Sequence, residues 1–212
     1  MSASLANERP TTEGGAPKFT SVTLEGGVIR LEPMRLEHAA LFWEAARGAH
    51  EEIFRWFPWS MKTMEDFALN VERVLAEQEK GLSVAFATVV RESGEIVGST
   101  RFMNIDAANR HVEIGSTWIV PAWQRTAVNT EAKYLMLRQA FEPWGCLRVE
   151  LKTDALNEQS RAAILRLGAK EEGTFRKHVI TSSGRVRDSV YFSIVDTEWP
   201  EIKLRLEKRL KR

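Results

Sequence analysis

The sequence contains little cysteine, little net charge and no long apolar run, and each shortage excludes a class of protein. Cys146 is the single cysteine among 212 residues, which excludes an intramolecular disulfide and a zinc site built on paired thiolates. The formal net charge is +1, so no overall field would attract nucleic acid or an anionic membrane. No segment approaches the roughly 20 apolar residues that a membrane-spanning helix needs. We therefore expect a cytoplasmic protein that binds any anionic ligand locally.

The sequence predicts one folded domain with a polar segment before it and a basic segment after it. Residues 1–19 contain scattered proline and glycine and lack the apolar stretch of a secretory signal, so we expect a disordered tail. With 43% hydrophobic residues overall, the chain can bury a single core, which we assign to residues 20–197. Residues 198–212 predict a basic amphipathic helix. A solvated helix face is a commoner explanation for its charges than contact with nucleic acid.

Hydrophobic periodicity predicts strands and helices in the order β-α-α-β-β-β-α-β-α-β-β. Strands are expected at 28–33, 83–91, 95–105, 111–120 and 147–151, and two more beside a hairpin turn at 182–184. Helices are expected after Leu36, from Phe67 to Gly81, from Val128 onward and from Glu158 to Leu167. This order predicts a sheet with helices inserted late in the chain, and it leaves function open.

The stretch from Trp118 to Lys133 predicts a strand, a short loop and the start of a helix. The first turn of such a helix has unpaired N–H groups and the positive end of the helix dipole, so it can hold a pyrophosphate. Arg125 and the Thr126 hydroxyl can add to that binding. The alternative is an ordinary strand-loop-helix connection in which Asn129 or Thr130 caps the helix.

This stretch resembles the acetyl-CoA-binding segment of GNAT N-acetyltransferases, whose usual loop is Gln/Arg-x-x-Gly-x-Gly/Ala. Gln124 fits that loop, whereas Ala127 and Asn129 stand where the family has mostly glycine, which predicts an altered loop geometry. The Gln-Arg-Thr form resembles the ribosomal-protein N-terminal acetyltransferase branch. The resemblance implies an α/β (α+β) fold, with a mixed, mostly antiparallel sheet of about seven strands, four flanking helices and a C-terminal helix. It also implies acetyl-CoA as cofactor, bound by Trp118, Ile119, Val120, Gln124, Arg125, Thr126, Ala127, Val128, Asn129 and Thr130.

A second part of the resemblance is the Asn-x-x-Ser pattern at Asn157 and Ser160. By resemblance, Asn157 would bind the pantetheine arm of the cofactor, and Ser160 would lie beside the thioester sulfur as a catalytic residue. The structural alternative is a helix cap, with Asn157 at the N-cap and Ser160 at the third helical position. Both roles can hold at once.

Attack of an amine on a thioester needs a polarised carbonyl and a group that removes a proton, but no protein nucleophile. A backbone N–H near Ile119 or Val120 would polarise the carbonyl, by analogy with the family's splayed strand. Glu113, on the strand that leads to the loop, is the candidate base, and a solvated strand residue is the alternative. Cys146 is expected to be a small buried residue rather than a catalyst. Direct transfer in a ternary complex is therefore expected.

The acceptor is expected to be a primary amine, with a protein or peptide N-terminus favoured. Its α-amine has a reference pKa near 8 against about 10.4 for lysine, so it demands less of a weak base. By resemblance, Trp56 and Trp59 would line the acceptor side, although aromatic residues beside a proline also suit a core. The four histidines are scattered, so no metal is expected. A GNAT enzyme for a small amine and a CoA-binding module without turnover remain alternatives, and a homodimer is possible.

Overall fold

Eight strands form a single sheet in the computed structural model, which describes residues 19–211. The order across the sheet is β1-β2-β3-β4-β5-β6-β8-β7. The strands are β1 Leu24–Glu25, β2 Ile29–Pro33, β3 Ser83–Val90, β4 Ile96–Asp106, β5 His111–Ile119, β6 Arg148–Asp154, β7 Lys170–Ile180 and β8 Val186–Val195. Neighbouring strands are antiparallel except for β5 and β6, which are parallel. The fold is thus mixed α/β with a mostly antiparallel sheet, as the sequence predicted.

Six α-helices accompany this sheet within residues 19–211. They are α1 His38–Ala46, α2 His50–Phe54, α3 Met64–Glu79, α4 Ala127–Phe141, α5 Glu158–Leu167 and α6 Trp199–Leu210. The bounds of α5 match the prediction, and Gly168 ends it with a left-handed φ of 102°. The sequence predicted about seven strands and four helices before the C-terminal helix. It missed the two-residue strand β1 and the five-residue helix α2, because elements this short show no period.

The helices cover both faces of the sheet. Thr100 of β4 contacts Met136 of α4, whereas the next residue, Arg101, is ion-paired with Glu77 of α3. Since successive strand residues point to opposite faces, α4 lies on one face and α3 on the other. Fully buried side chains such as Phe86, Phe102 and Phe192 lie in the sheet itself. The core is therefore formed on both faces, and β3 is buried along its whole length.

Glu131 of α4 connects this helix to the N-terminal strands. Its carboxylate accepts hydrogen bonds from the N–H groups of Gly27, Val28 and Ile29 at 2.7, 2.8 and 2.7 Å. A Cβ atom at Gly26 would lie 2.5 Å from Glu131 Cδ, so the turn between β1 and β2 leaves room for this carboxylate. One buried side chain thus joins segments 104 residues apart.

The two ends of the chain have different relations to this core. Residues 1–18 of the predicted tail lie outside the described residues, while Phe19 packs edge-on against Trp144 with ring centroids 5.0 Å apart. Helix α6 packs on α4, where Trp199 stacks on Phe141 at 5.5 Å. The domain limits at 20–197 and 198–212 stay a prediction. Between residues 19 and 211, no helix has the length and apolar character needed to cross a bilayer.

Candidate active site

The parallel strands β5 and β6 separate soon after they meet. They pair over only three residues each, from His111 to Glu113 and from Arg148 to Glu150. Beyond Glu113, β5 continues to Ile119 with β4 as its only paired neighbour among the described strands. The edges of β5 and β6 that face each other therefore border a V-shaped opening, with Glu113 at its apex.

A β-bulge reshapes β5 inside this opening. Two residues of β5, Ser116 and Thr117, oppose Thr100 alone on β4 where the register shifts between Ser99 and Arg101, and Ser116 has a left-handed φ of 48°. The bulge directs the Trp118 side chain into the core, where it packs on Phe42 and Phe54 at 5.5 and 5.7 Å. Trp118 therefore has only its backbone available at the opening.

The backbone N–H groups at the end of β5 are not equivalent. The N–H of Val120 donates to Val97 O at 2.9 Å, so it is already engaged and is unavailable for a carbonyl. In an antiparallel ladder, alternate residues face the partner strand. The N–H of Ile119, which is paired with Gly98, therefore points away from β4 and into the opening. Of the two predicted amides, only that of Ile119 suits the proposed role.

The loop after β5 is held by Gln124. Its Nε2 donates to Ile119 O at 3.0 Å, and its Oε1 accepts from Gln159 Nε2 of α5 at 3.3 Å. Gln124 thus links the strand end, the loop and the N-terminal turn of α5. A short 3-10 helix, Pro121–Trp123, precedes it and begins at the proline that the sequence predicted to end the strand.

The N-cap of α4 differs from both residues that the sequence proposed. Thr126, rather than Asn129 or Thr130, caps the helix, with its Oγ1 accepting from Val128 N at 3.3 Å and donating to Trp123 O at 2.8 Å. The left-handed residue is Arg125, with φ 60°, whereas Ala127 and Asn129 have ordinary negative φ values. Both residues lie inside the helix, so neither needs a positive φ, and the left-handed position of this loop is Arg125 instead.

The cap and the helix itself engage some of the backbone N–H groups at the start of α4, so fewer remain for a ligand. Val128 N is engaged by the cap, and Thr130 is the fourth helical residue, whose N–H bonds within the helix. The remaining N–H groups are those of Arg125, Thr126, Ala127 and Asn129. The side chains of Arg125 and Thr126 are exposed, so this turn is open to a phosphate.

Helix α5 starts near the same loop. Asn157 is its N-cap, and its Oδ1 accepts from Ser160 N at 3.0 Å, so the structural alternative for Asn157 is confirmed. That bond uses neither the Asn157 side-chain NH₂ group nor the half-buried Ser160 hydroxyl, so both can still form hydrogen bonds to other groups. The contact of Gln159 with Gln124 shows that this end of α5 adjoins the phosphate loop.

Glu113 is buried rather than solvated, with only 2% of its surface exposed. Its Oε2 accepts from Asn104 Nδ2 at 2.9 Å and from Lys152 Nζ of β6 at 3.1 Å. Its Oε1 lies near Gly115, where an added Cβ would lie 3.0 Å away. The Glu113 side chain lies on the same face of the sheet as that of Met103, which is the face covered by α3. The solvated-strand alternative is therefore wrong, and a buried ion pair replaces it.

Beside Glu113 lies a charged group that sequence reasoning missed. Asp154 of β6 is ion-paired with both Arg185 and Arg187, and Arg187 Nη1 donates to Trp56 O at 3.1 Å. The Trp56 ring lies within 4.9 Å of the Arg55 guanidinium carbon and 5.7 Å of that of Arg185. The antiparallel pairing of β6 with β8 brings these residues together, and no local spacing signals it.

The two predicted acceptor tryptophans have different surroundings. Trp56 faces this charged group, whereas Trp59 packs on Phe54 and Phe57 and borders an open depression shared with Arg73 and Arg101. Both are half-buried. Trp56 therefore lies beside the ion pairs of Asp154, and Trp59 lies in the aromatic packing at the end of α2.

The surroundings of His178 and Cys146 shift the pKa values of both side chains. Burial lowers the pKa of His178 on β7, and repulsion by Lys152 and Arg187 lowers it further, so the imidazole is neutral at pH 7. Burial also raises the pKa of the Cys146 thiol to about 11, which keeps it protonated and unreactive. Within residues 19–211, no three His, Cys, Asp or Glu side chains converge in a metal-ligand arrangement.

Comparisons with known proteins give the family and the fold of the chain. The model of the acetyltransferase (GNAT) domain matches residues 29–170. The chain is 34% identical over 106 residues to the "Putative ribosomal N-acetyltransferase YdaF" of Bacillus subtilis, which covers 50% of this chain and 57% of that protein. The matched region is thus less than two thirds of that relative's length.

Solved structures extend the likeness to nearly the whole described chain. A GCN5-related N-acetyltransferase from Brucella melitensis superposes with a TM-score of 0.84 at 30% identity, over 92% of this chain and 89% of that one. RimJ of Mycobacterium smegmatis, in complex with CoA-disulfide, shares the fold with a TM-score of 0.76 at 24% identity, over 86% and 90% of the two chains. The chain belongs to the GNAT family of acetyl-CoA-dependent N-acetyltransferases.

Proposed function

We propose that this protein transfers an acetyl group from acetyl-CoA to the α-amine of a protein or peptide N-terminus, by direct attack in a ternary complex. The observation that carries the proposal is the opening between β5 and β6. Its edges bring the free amides of α4, the Ile119 N–H and the start of α5 together around one slot, and Glu113 lies at the apex. An elongated thioester fits such a slot, with its phosphates at the helix end and its acyl group near the apex.

The cofactor contacts follow from the groups left free. The N–H groups of Arg125, Thr126, Ala127 and Asn129 are proposed to bind the pyrophosphate, with the Arg125 guanidinium adding a charge-assisted bond. The side-chain NH₂ group of Asn157, at the start of α5, is proposed to bind the pantetheine arm. Acetyl-CoA supplies an activated acyl carbonyl and a thiolate leaving group.

The residues of this chain then support a single displacement. The N–H of Ile119 is proposed to donate to the acyl oxygen as negative charge develops on it. The acceptor nitrogen forms a bond to the acyl carbon while the carbon–sulfur bond breaks, and the Ser160 hydroxyl donates to the departing sulfur. Glu113 Oε1, which Asn104 and Lys152 leave unoccupied, is proposed to accept the amine proton directly or through a water.

Cofactor binding is tested by isothermal titration with acetyl-CoA. Wild-type protein is expected to bind with a micromolar dissociation constant, and Arg125→Glu is expected to weaken binding at least roughly tenfold. Arg47→Glu makes the same charge change at the end of α1, where the side chain is 69% exposed, and is expected to leave affinity unchanged. Absence of binding by the wild type would contradict the proposal.

The role of Glu113 is tested by Glu113→Gln, which keeps the size of the side chain and removes its basicity. We expect kcat for a peptide acceptor to fall by roughly 100-fold or more, with the affinity for acetyl-CoA unchanged. Lys152→Met is the matched control for Glu113→Gln, because it removes the ion pair between Lys152 and Glu113 and keeps the Glu113 carboxylate. If Glu113→Gln retains full kcat, Glu113 has only a structural role, and the neutral His178 becomes the candidate base.

The acceptor class is tested with peptides and small amines at equal concentration, by release of the CoA thiol. Peptide α-amines are expected to react faster than polyamines or free amino acids. Turnover with small amines alone would favour a small-molecule GNAT enzyme. Tight acetyl-CoA binding with no turnover on any amine would favour a CoA-binding module.

A further inference from the structure

The charged residues next to Glu113 form a cluster with a positive excess. We call Lys152, Asp154, Arg185 and Arg187 the hairpin cluster, since the β7–β8 hairpin supplies its two arginines. Lys152 is paired with Glu113, so these two charges cancel. Asp154 alone is shared by Arg185 and Arg187, which leaves one cation without a carboxylate of its own. The cluster therefore carries a net positive charge.

The exposure of these side chains decides whether the surface presents positive or negative charge to solvent. The Asp154 side chain is fully buried, whereas that of Arg185 is 34% exposed. Arg55, which is exposed, lies against the same Trp56 ring as Arg185, so two guanidinium groups flank one aromatic ring. The surface beside the apex of the opening thus presents cations, while the compensating carboxylates lie beneath it. The lowered pKa of His178 has partly the same origin, because Lys152 and Arg187 repel its proton.

The distance between the apex and this surface is set by the sheet. Glu113 of β5 is paired with Glu150 of β6, so Lys152 lies two residues and Asp154 four residues farther along β6, about 7 and 13 Å from that pair. The Arg185 guanidinium is ion-paired with Asp154 from the hairpin. It is therefore roughly 13 Å from the apex along the strand, a span that two extended residues and the acidic side chain of the third cover together.

We propose that the hairpin cluster binds a carboxylate of the acceptor, so that the preferred substrate is a peptide or protein N-terminus with an acidic residue near its third position. This inference rests on the proposed function, in which the α-amine is acetylated at the apex. Arg185 is partly exposed and shares its single carboxylate with Arg187, so its remaining N–H groups match an acidic side chain geometrically and electrostatically. A polyamine is disfavoured by the same positive charge. A free amino acid is too short, because its carboxylate is only about 3 Å from its amine.

The test uses three peptides that begin with serine and differ only at the third residue, which is Asp, Asn or Lys. For the wild type, kcat/KM is expected to be at least about tenfold higher for the Asp peptide than for the Lys peptide. In Arg185→Gln this ratio is expected to fall to within about twofold. The matched control is Arg148→Gln, whose side chain is 30% exposed and is ion-paired with Glu150 and Glu172 on another part of the sheet. It should keep the preference.

Two further measurements separate recognition from loss of structure. Arg55→Gln alters an exposed side chain without a buried partner, and it is expected to lower the Asp-over-Lys ratio in part. Each peptide is titrated into protein saturated with CoA, which carries no acetyl group, so that binding is measured without turnover. The Asp peptide should bind tightest. Its advantage should shrink at high salt, because exposed charges are screened.

The outcomes distinguish the two proposals. If all three peptides are acetylated equally, or the Lys peptide is preferred, the acidic-acceptor inference is overturned and the proposed function stands. If the wild type binds acetyl-CoA but neither binds nor acetylates any of the peptides, both the inference and the proposed acceptor class are overturned. A preference that survives in both Arg185→Gln and Arg55→Gln would remove the hairpin cluster from acceptor recognition.

Discussion

Lys133 is a buried amine on the inner face of α4, and it has no carboxylate partner. Its Nζ donates to the hydroxyls of Thr117 and, at 3.3 Å, Thr100, and only 6% of its surface is exposed. Burial lowers the pKa of Lys133 to about 7, because two hydroxyl groups compensate poorly for the lost hydration of an ammonium ion. Burial of Lys133 therefore lowers the stability of the fold at every pH below the ordinary lysine pKa of about 10.4.

We expect Lys133→Met to stabilise the protein at pH 7 by a few kcal/mol, in proportion to the pKa shift. In the unfolded chain the lysine keeps its proton up to about pH 10.4, whereas in the folded protein it loses the proton near pH 7. Between these values the unfolded state binds more protons, so wild-type stability should rise with pH. Below pH 7 the penalty is fully present and constant.

Urea unfolding of wild type and Lys133→Met at pH 6, 8 and 9.5 measures this effect. The difference in unfolding free energy should be largest at pH 6 and should shrink toward pH 9.5. Thr100 and Thr117 are hydrogen-bonded to each other at 2.7 Å, so methionine at position 133 is expected to leave neither hydroxyl unpaired. A difference that is independent of pH would contradict the lowered pKa.

Local sequence patterns singled out several candidate site residues. Gln124 was named through the resemblance to the GNAT loop and Asn157 through the Asn-x-x-Ser pattern, and the structure confirms Asn157 as a helix cap. The same reasoning misplaced the N-cap of α4, since Thr126, Asn129 and Thr130 are all good caps by type. Arg187 and Asp154 could not be predicted, because they meet only through pairing of strands that are far apart in the chain.

At the scale of the elements, one residue of the N-terminal turn of α5, Asn157, has both a structural role and a proposed binding role. Asn157 accepts from Ser160 N through Oδ1, and its NH₂ group is proposed to bind pantetheine. The two tasks use different atoms of the same side chain. They can therefore be separated by substitution.

We expect Asn157→Asp to keep the cap and lose the amide donor, so stability is retained while acetyl-CoA affinity falls. Asn157→Ala should lose both, with a decrease of about 1 kcal/mol in unfolding free energy. Thermal denaturation and isothermal titration on the same two variants measure both properties. Full acetyl-CoA affinity in Asn157→Asp would mean that the NH₂ group does not contact the cofactor.

Long periodic elements were predicted well, and irregular ones were not. Helix α3 shows a clear apolar face with Phe67, Val71 and Val74 buried, and its predicted range was nearly right. The local sequence signal for the bulge at Ser116 is only the preceding Gly115, since a glycine inside a strand often marks a bulge, and the left-handed φ of Ser116 depends on the mismatch between β4 and β5. Yet this bulge turns Trp118 into the core and shapes the opening.

At the scale of the whole molecule, the single carboxylate of Glu131 holds the N-terminal strands against the helix that begins at the phosphate loop. Glu131→Gln keeps the shape but leaves only one strong acceptor for three N–H groups. We expect a loss of about 1–3 kcal/mol in unfolding free energy, because buried donors lose their partners. Urea unfolding measures it, with Glu150→Gln on β6 as a less buried control.

The Glu131 contact also joins two parts of the molecule that differ in stability. The β1–β2 turn is the outermost part of the sheet, and strands at such an edge open more often than the centre. Ligand binding at the start of α4 would reduce opening of that helix, and Glu131 would transmit this restraint to Gly27, Val28 and Ile29. Slower amide hydrogen exchange at these three positions would then report occupancy of a slot that they do not touch.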